Sequence, residues 1–369
     1  MKIVLIGPFP PYRGGISLFN HSLADELDKD HDVHRITFSL QYPKVMFPGK
    51  SQYSEFKGKL SSRLINSINP TSWIKTSNFI NKLSPDLIIF QYWMPFFVPA
   101  FNSIAKRVRK GCGAKIMVNC NNIKPHEPKP LDNMMTKTFF NNCDYFMVMS
   151  SEVETDLISI IENPKYRKVP HPLYDIFGKK PSKVEARKEL KLEAEKIILN
   201  FGLVRDYKGL DILIESAKKI KDKIDNFKIL VVGECYGNEK NFIDLAQKHN
   251  VINYFDFRFK FIPNHMVSYY FSACDLVVLP YRTATQSGVV PIAYHFDKPV
   301  IVSNVGGLPE VVDEGQSGFI CEPRPDSLSK TIINFFDNDL NQFSDFISNY
   351  KNNFSWSNFA KNIVGLSKE

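Results

Sequence analysis

No stretch of this sequence is apolar for long enough to cross a membrane. The N-terminal apolar run ends at Gly7 after four residues, whereas the hydrophobic part of a secretory signal has roughly 7–15. A later apolar stretch, residues 87–101, is broken by Pro95 and Pro99, and a spanning helix needs about 20 apolar residues. We therefore expect a cytoplasmic protein whose contact with a membrane is at most peripheral, at the inner face of the cell membrane.

Cysteines with metal-binding or redox spacing are also missing. The six cysteines are scattered, and none belongs to a Cys-x-x-Cys pair, so we expect free thiols in a reducing compartment and no metal site. The loop after the first predicted strand lacks the Gly-x-Gly-x-x-Gly spacing of dinucleotide-binding proteins. This absence argues against a nicotinamide enzyme, and we expect no required cofactor.

The charge balance is positive, with a net charge of +8. The densest basic run is Lys106-Arg107-Val108-Arg109-Lys110. A solvated helix surface is the favoured interpretation of this run. Contact with anionic lipid headgroups or an acidic acceptor is the alternative. No recognisable nucleic-acid-reading module accompanies the charge, so we expect no nucleic-acid partner.

Strand-like and helix-like patterns alternate along almost the whole chain. A length of 369 residues exceeds what one core usually organises, and the alternation predicts parallel sheets wrapped by helices. We predict an α/β protein with two Rossmann-like domains that face a central cleft. The predicted parts are a first domain at residues 1–172, a proline- and charge-rich linker at 173–190, a second domain at 191–350 and a terminal helical segment at 351–369.

The boundaries of individual elements follow from the same patterns. Residues 42–69 lack periodicity and are expected to be rich in loops. A strand is expected at residues 257–261 of the second half. In the terminal segment, Ser357 is the expected N-cap of the last helix.

The strongest local signal is the stretch from Gly202 to Gly209, which joins a predicted strand to a predicted helix. Arg205 and Lys208 lie three residues apart beside the start of that helix. Free backbone N–H groups and the helix dipole add to their charge, so the pattern predicts an anion site. The alternative is that both are ordinary exposed residues at a helix start, and spacing alone does not separate the two interpretations.

A second signal, Thr285-Gln286-Ser287-Gly288, also lies between a strand and a helix. Small hydroxyl residues and a glycine allow a phosphate to approach the backbone closely. Helix N-capping explains the same residues and is the favoured interpretation when the stretch is taken alone.

Two loops of the first half complete the set. Gly14 and Gly15 lie in the loop after the first strand, where a Rossmann half normally carries its ligand loop. His126 and Glu127 follow a later strand and have the chemistry for acid–base work or for holding sugar hydroxyls. A merely exposed loop histidine is the more common case.

These signals together resemble the retaining GT-B glycosyltransferases of family 4. The resemblance covers nearly the whole chain, and no single motif carries it alone. Its specific parts are Gly14-Gly15, Gly202 to Gly209, Lys298-Pro299-Val300, and Val305-Gly306-Gly307-Leu308-Pro309-Glu310-Val311-Val312.

The resemblance implies a hexosyltransferase that moves a sugar from a nucleoside-diphosphate donor to a glycan or lipid-linked acceptor in cell-surface polysaccharide synthesis. It implies retention of anomeric configuration, no obligatory metal and a terminal helix that crosses back to the first domain. Arg205 and Lys208, beside Gly202, would contact the donor diphosphate, and the backbone at Phe261 and Ile262 would contact the nucleobase.

The sequence also departs from the family pattern. Two glutamates that are common in the donor domain align with Ala284 and Ile292, and Asn121 stands where a histidine is common. Asn121, His126 and Glu127 are therefore expected in the acceptor loop, with His126 as a candidate catalytic residue. In the mechanism inferred for retaining relatives, the departing phosphate oxygen itself can take the acceptor proton, so a side-chain base is not required. A non-catalytic sugar-nucleotide-binding relative, a GT-B epimerase and a phosphorylase remain as alternatives.

Overall fold

The computed structural model describes residues 1–43, 51–53, 59–124 and 129–369. The chain forms two compact units. Unit 1 comprises Met1–His171 together with Trp356–Glu369, and unit 2 comprises Pro172–Ser355.

Unit 1 is built on a sheet of seven strands in the order β3-β2-β1-β4-β5-β6-β7, and every strand pair in it is parallel. Its strands are β1 Lys2–Ile6, β2 Asp32–Leu40, β3 Ser62–Asn66, β4 Leu87–Tyr92, β5 Lys115–Cys120, β6 Tyr145–Val148 and β7 Tyr166–Lys168. Its helices are α1 Gly15–Leu27, α2 Pro70–Leu83, α3 Val98–Gly111, α4 Asp132–Phe140 and α5 Ser151–Ile160, with the terminal helix α13 Trp356–Leu366.

Strand β4 lies in the middle of the unit 1 sheet, and its burial matches that position. All six of its residues are buried, as expected for a parallel strand covered by helices on both faces. Helix ends are set by local hydrogen bonds: the Asn69 side chain accepts from the backbone N–H of Thr71 at the start of α2.

The terminal helix packs in unit 1, where the centre of the Phe19 ring lies 5.1 Å from that of Trp356 and 5.5 Å from that of Phe359.

Unit 2 repeats the architecture with six parallel strands in the order β10-β9-β8-β11-β12-β13. Its strands are β8 Lys196–Phe201, β9 Phe227–Val232, β10 Phe255–Arg258, β11 Leu276–Leu279, β12 Val300–Ser303 and β13 Gly318–Cys321. Its helices are α6 Lys183–Leu190, α7 Leu210–Ile220, α8 Glu239–Lys248, α9 Asn264–Ala273, α10 Val289–His295, α11 Pro325–Phe336 and α12 Leu340–Tyr350.

The two parallel sheets confirm the prediction of two Rossmann-like α/β domains, and several local expectations need correction. The stretch 42–69, expected to be loop-rich, contains β3. The segment 173–190, expected to be a linker, contains α6, which begins with a reciprocal capping box between Ser182 and Glu185. The strand expected at 257–261 is β10, which begins two residues earlier and ends three residues earlier.

The terminal helix begins at Trp356, so Ser357 lies inside its first turn and is not its N-cap. Trp356, one residue earlier, starts the helix and packs on Phe19. Among the helices of the described ranges, none is both long and apolar enough to span a membrane.

Candidate functional site

The candidate site lies at the carboxyl edge of the unit 2 sheet. The strand order reverses between β8 and β11: the chain leaves β8 toward β9 on one side, and β11 lies on the other. In open α/β sheets, ligands bind beyond the carboxyl ends of the strands at such a reversal. The loops that follow β8 and β11 are the two strongest motifs of the second half of the sequence.

Glycines shape the loop after β8. Gly202 has φ +112° and donates its N–H to Val232 O at 2.9 Å. Gly209 has φ +65°, and a Cβ placed on it would lie 2.0 Å from Pro280 O. Only glycine fits a positive φ at such a close backbone approach, so Gly209 lets the loop after β8 pack on the loop after β11.

Arg205 and Lys208 project from this loop without carboxylate partners in the described part of the chain. The Arg205 guanidinium carbon lies 4.9 Å from the ring centre of Tyr236, and the Lys208 Nζ lies 5.2 Å from that of Tyr281. A Cβ placed on Gly202 would be 3.2 Å from Lys208 Nζ. Each cation thus lies over an aromatic ring, and Lys208 also lies close to the backbone at Gly202.

The two charges also influence each other. Burial lowers the pKa of the Lys208 ammonium below its ordinary value; the Tyr207 phenol opposes this shift, and the neighbouring Arg205 charge adds to it. A partly buried ammonium beside a second cation is in an unfavourable environment that an anion would relieve. This arrangement is compatible with the anion site that the sequence predicts, and the site itself stays a prediction. Lys208 itself lies in a 3-10 turn, Asp206–Lys208, rather than opening α7.

Arg282 ties the two loops together, a role that the sequence did not indicate. Its backbone N–H donates to Tyr207 O at 2.7 Å, and its Nη1 donates to Asp206 O at 2.9 Å. Its two terminal nitrogens also donate to both carboxylate oxygens of Asp211, at 2.8 and 2.5 Å. A forked guanidinium–carboxylate pair fixes orientation as well as distance. Arg282 thereby sets the position of the turn that carries Lys208.

The predicted hydroxyl motif follows on the same loop. Thr285 is buried, and Ser287 Oγ accepts from the backbone N–H of Val289 at the start of α10 at 3.2 Å. The N-cap of α10 is Gly288, which makes no side-chain cap hydrogen bond, so Ser287 contacts the first helical residue from one position before the cap. Gly288 faces Tyr174: a Cβ at Gly288 would lie 3.3 Å from the Tyr174 ring. The small residues of this motif thus let the backbone of the loop pack closely against its neighbours, including the Tyr174 ring.

The remaining predicted donor residues lie after β10, on the same edge of the same sheet. Phe261 is 39% exposed, and Ile262 is buried. The positions of the two absent glutamates are occupied by buried apolar side chains, because Ala284 and Ile292 are 4% and 7% exposed. Alanine and isoleucine carry no carboxylate, so neither position supplies one.

The predicted acceptor loops belong to unit 1. Gly14, with φ +113°, precedes α1, whose first residue is Gly15. Asn121 follows β5 and donates its backbone N–H to Tyr92 O at 2.9 Å. Both loops therefore lie at the carboxyl edge of the unit 1 sheet. The predictions for His126 and Glu127 fall outside the described residues.

Sequence reasoning also missed three tyrosines: Tyr236 beside Arg205, Tyr281 beside Lys208 and Tyr174 beside Gly288. Tyr281 stands directly before Arg282 and a few residues ahead of the motif Thr285–Gly288, so its position in the sequence was a usable signal. Tyr236 and Tyr174 come from other loops, which only the fold brings close. Within the residues that the structure describes, no cluster of three or more histidine, cysteine or acidic side chains is arranged to hold a metal ion.

Comparisons with known proteins agree with this geometry. Residues 182–353 match the family described as glycosyl transferases group 1. The chain is 26% identical over 391 residues to the uncharacterized glycosyltransferase MJ1178 of Methanocaldococcus jannaschii, covering 100% of this chain and 97% of that protein. Relatives of this kind and the group 1 domain identify the chain as a glycosyltransferase.

Solved structures show the fold of the whole chain. Sucrose-phosphate synthase from Thermosynechococcus elongatus superposes with a TM-score of 0.77 at 18% identity, covering 100% of this chain and 98% of that one. HepE of Anabaena in complex with UDP-glucose gives 0.73 at 18% identity, covering 100% of both chains. The architecture is GT-B, as predicted.

Proposed function

We propose that this glycosyltransferase is a hexosyltransferase that uses a nucleoside-diphosphate sugar and retains the anomeric configuration. Its acceptor is a glycan or a lipid-linked glycan, and its product enters cell-surface polysaccharide. The observation that carries the proposal is the pair formed by Arg205 and Lys208, two cations with no acidic partner in the described ranges at the strand reversal of unit 2.

The chemistry of sugar transfer explains why such a pair is needed. The bond between the anomeric carbon and the diphosphate oxygen breaks, and negative charge develops on the leaving diphosphate. Arg205 offers a fork of donors that matches two phosphate oxygens, and Lys208 adds a partly desolvated point charge. Stabilising donors of this kind each lower a barrier by about 2–4 kcal/mol.

The remaining assignments extend this core. The donor would lie against Gly202, Thr285, Gln286, Ser287 and Gly288. A donor of the nucleoside-diphosphate hexose class is supported by HepE, whose structure with UDP-glucose shares the fold. The nucleobase would meet the backbone at Phe261 and Ile262.

The acceptor loops are Gly14-Gly15 and the segment with Asn121, His126 and Glu127. In the mechanism inferred for retaining relatives, the departing phosphate oxygen itself takes the acceptor proton. His126 is the side-chain alternative for that proton. No metal or cofactor is part of the proposal, and a cytoplasmic location is supported by six cysteines that are all free.

The test compares Arg205→Ala and Lys208→Ala with the wild type. We expect kcat/KM for nucleoside-diphosphate release to fall about 30- to 1000-fold in each, which corresponds to about 2–4 kcal/mol. The assay measures release from a panel of sugar nucleotides with and without acceptor lysate. Lys218→Ala, which removes an exposed lysine farther along α7, is the matched control and should leave the rate unchanged.

Two outcomes would contradict the proposal. Wild-type rates in both site variants would remove the two cations from the mechanism. Binding of sugar nucleotides with no release under any acceptor condition would favour the alternative of a non-catalytic sugar-nucleotide-binding protein.

A further inference from the structure

Exposed large apolar side chains are unevenly distributed between the two units. In the described part of unit 2 they number three: Val184, Leu203 and Phe261. Six others lie on or directly beside the helices α2, α4 and α5 of unit 1: Ile68, Ile74, Phe79, Leu131, Met134 and Ile158. Single exposed apolar residues are ordinary, but three of these six, Ile68, Ile74 and Phe79, lie on α2 or just before it.

Charge separates α2 and its neighbour α3 from the other helices. The two helices carry six basic residues and no acidic residue, against a net charge of +8 for the entire chain. By contrast, α5 carries Glu152, Glu154 and Asp156. The positive charge of the protein is therefore concentrated on two adjacent helices.

These two helices form one continuous surface. Both return from the carboxyl edge of the unit 1 sheet to its amino edge, so they run parallel. Their last turns touch, because a Cβ placed on Gly111 would lie 2.2 Å from the Asn81 side chain. The basic groups at the two carboxyl ends, Lys82 and Lys110, consequently belong to the same end of the surface.

The exposed residues of this surface define what we term the basic helical face. Five of its side chains are cations with no ion-pair partner among the residues described here, and three are apolar. Its members are Lys75, Lys82, Lys106, Arg107 and Lys110, with Ile68, Ile74 and Phe79. Arg109 is excluded because it pairs with Asp144.

We propose that the basic helical face binds the surface of a bilayer that contains anionic lipids. Unpaired lysine and arginine side chains attract anionic headgroups, and Ile74 and Phe79 on the same helix can enter the boundary between headgroups and acyl chains. Long basic side chains keep their charge at headgroup level while their stems cover apolar surface. A nucleic acid would satisfy the cations but would leave the three apolar side chains without a partner.

The inference does not depend on sugar transfer. It rests on unit 1, whereas the donor site proposed above lies in unit 2, and its test uses neither donor nor acceptor. If sugar transfer failed its own test, the surface of unit 1 would be unaffected. If the bilayer proposal failed, a soluble acceptor would remain compatible with the proposed chemistry.

The test is sedimentation of the full-length chain with extruded vesicles. One set contains only phosphatidylcholine, and a second contains 30% phosphatidylglycerol as an experimental choice. We expect binding to the anionic set only, and weaker binding as salt rises, because the Debye length falls from about 10 Å at 0.1 M to about 3 Å at 1 M. Lys106→Gln with Lys110→Gln should lower the partition coefficient about 30-fold, roughly fivefold per charge.

Matched variants distinguish binding through the basic helical face from attraction by the net charge of the whole protein. Lys218→Gln with Lys223→Gln removes two charges on or directly after α7 of unit 2 and should change binding less than twofold. Ile74→Ser with Phe79→Ser should weaken binding while leaving its salt dependence intact. A thermal melt of each variant confirms that it is folded.

Three results would overturn the proposal. Equal binding to both vesicle sets would show that electrostatic attraction does not contribute to membrane binding. Equal losses of binding in the α3 and α7 variants would show that the basic helical face is not the binding surface. Binding to RNA that depends on Lys106 and Lys110, without binding to anionic vesicles, would assign the face to a nucleic acid instead.

Discussion

Replacement of Arg282 by alanine tests whether the two loops of the proposed donor site must be tied together. The variant removes the side-chain hydrogen bond to Asp206 O and the forked pair with Asp211. It leaves the backbone bond from Arg282 N–H to Tyr207 O, which is independent of the side chain. The turn that carries Lys208 keeps one attachment to the loop after β11 and loses the attachments that fix its orientation.

The expected loss of stability is small, and the expected loss of activity is not. The side chains of Arg282 and Asp211 are 43% and 36% exposed, and exposed ion pairs stabilise a fold by only about 0.2–1 kcal/mol. Catalysis is more sensitive, since a displacement of about 1 Å of a charged group can cost about 100-fold in rate. We therefore expect kcat/KM to fall about 10- to 100-fold while the unfolding temperature falls by less than about 3 °C.

The measurement is steady-state nucleoside-diphosphate release, combined with a thermal melt. Arg282→Lys should recover only part of the activity, because an ammonium cannot make a forked pair with Asp211. In a double-mutant cycle, Asp211→Asn should cost little more once Arg282 is alanine. Lys219→Ala breaks an exposed ion pair with Asp326 elsewhere on unit 2 and serves as the control.

Wild-type kcat/KM in Arg282→Ala would refute the reasoning, as would additive effects in the cycle. A parallel loss in Lys219→Ala would show that any ion pair on unit 2 matters equally. A loss of activity matched by a large loss of stability would assign Arg282 to folding rather than to the positioning of Lys208.

Two further outcomes follow from the same site. Burial lowers the pKa of Lys208, so the charged form destabilises the folded chain at any pH below that lowered pKa. The destabilisation is relieved as the pH rises from the lowered pKa toward the pKa of the unfolded chain. Lys208→Met should therefore raise the unfolding temperature at pH 7 and lower kcat/KM about 30- to 1000-fold, as expected for Lys208→Ala. Wild-type kcat/KM should decline at a lower alkaline pH than an ordinary lysine would give. A lower unfolding temperature in Lys208→Met would contradict this account. Gly233 has φ +146°, and a Cβ there would lie 1.9 Å from Gly202 O, so Gly233→Ala should destabilise unit 2 by about 3 kcal/mol or more in chemical denaturation, whereas Gly237→Ala, whose Cβ would meet nothing within 4 Å, should not.

The core strands were predictable because their signals are local. All six residues of β4 are buried, and all but Gln91 are apolar, as is typical of a parallel strand covered on both faces. The short edge strand β7 was not predicted, since Tyr166–Lys168 shows no apolar alternation and pairs only with β6. Likewise α6 lies in a charged segment whose helix depends on the Ser182–Glu185 capping box rather than on an apolar face.

The candidate site was predictable to the extent that it is contiguous in sequence. Arg205 and Lys208 share one short loop, and their spacing beside glycines indicated anion binding. The contacts that position them come from distant parts of the chain: Tyr236 after β9, and Tyr281 with Arg282 after β11. Such contacts depend on strand order, which hydrophobic periodicity does not specify.

The absence of carboxylates from the loop after β11 has a consequence for how a donor is recognised. The loop from Pro280 to Gly288 contains no acidic residue, and Ala284 and Ile292 are buried. For a donor bound as proposed, the diphosphate then makes the charge-assisted contacts, each worth about 1.5–3 kcal/mol. Hydroxyl and amide groups such as those of Thr285 and Gln286 offer the sugar neutral hydrogen bonds of about 0.5–1.5 kcal/mol. Affinity would thus reside mainly in the diphosphate, and the choice among hexoses would depend on shape and hydroxyl geometry rather than on charge.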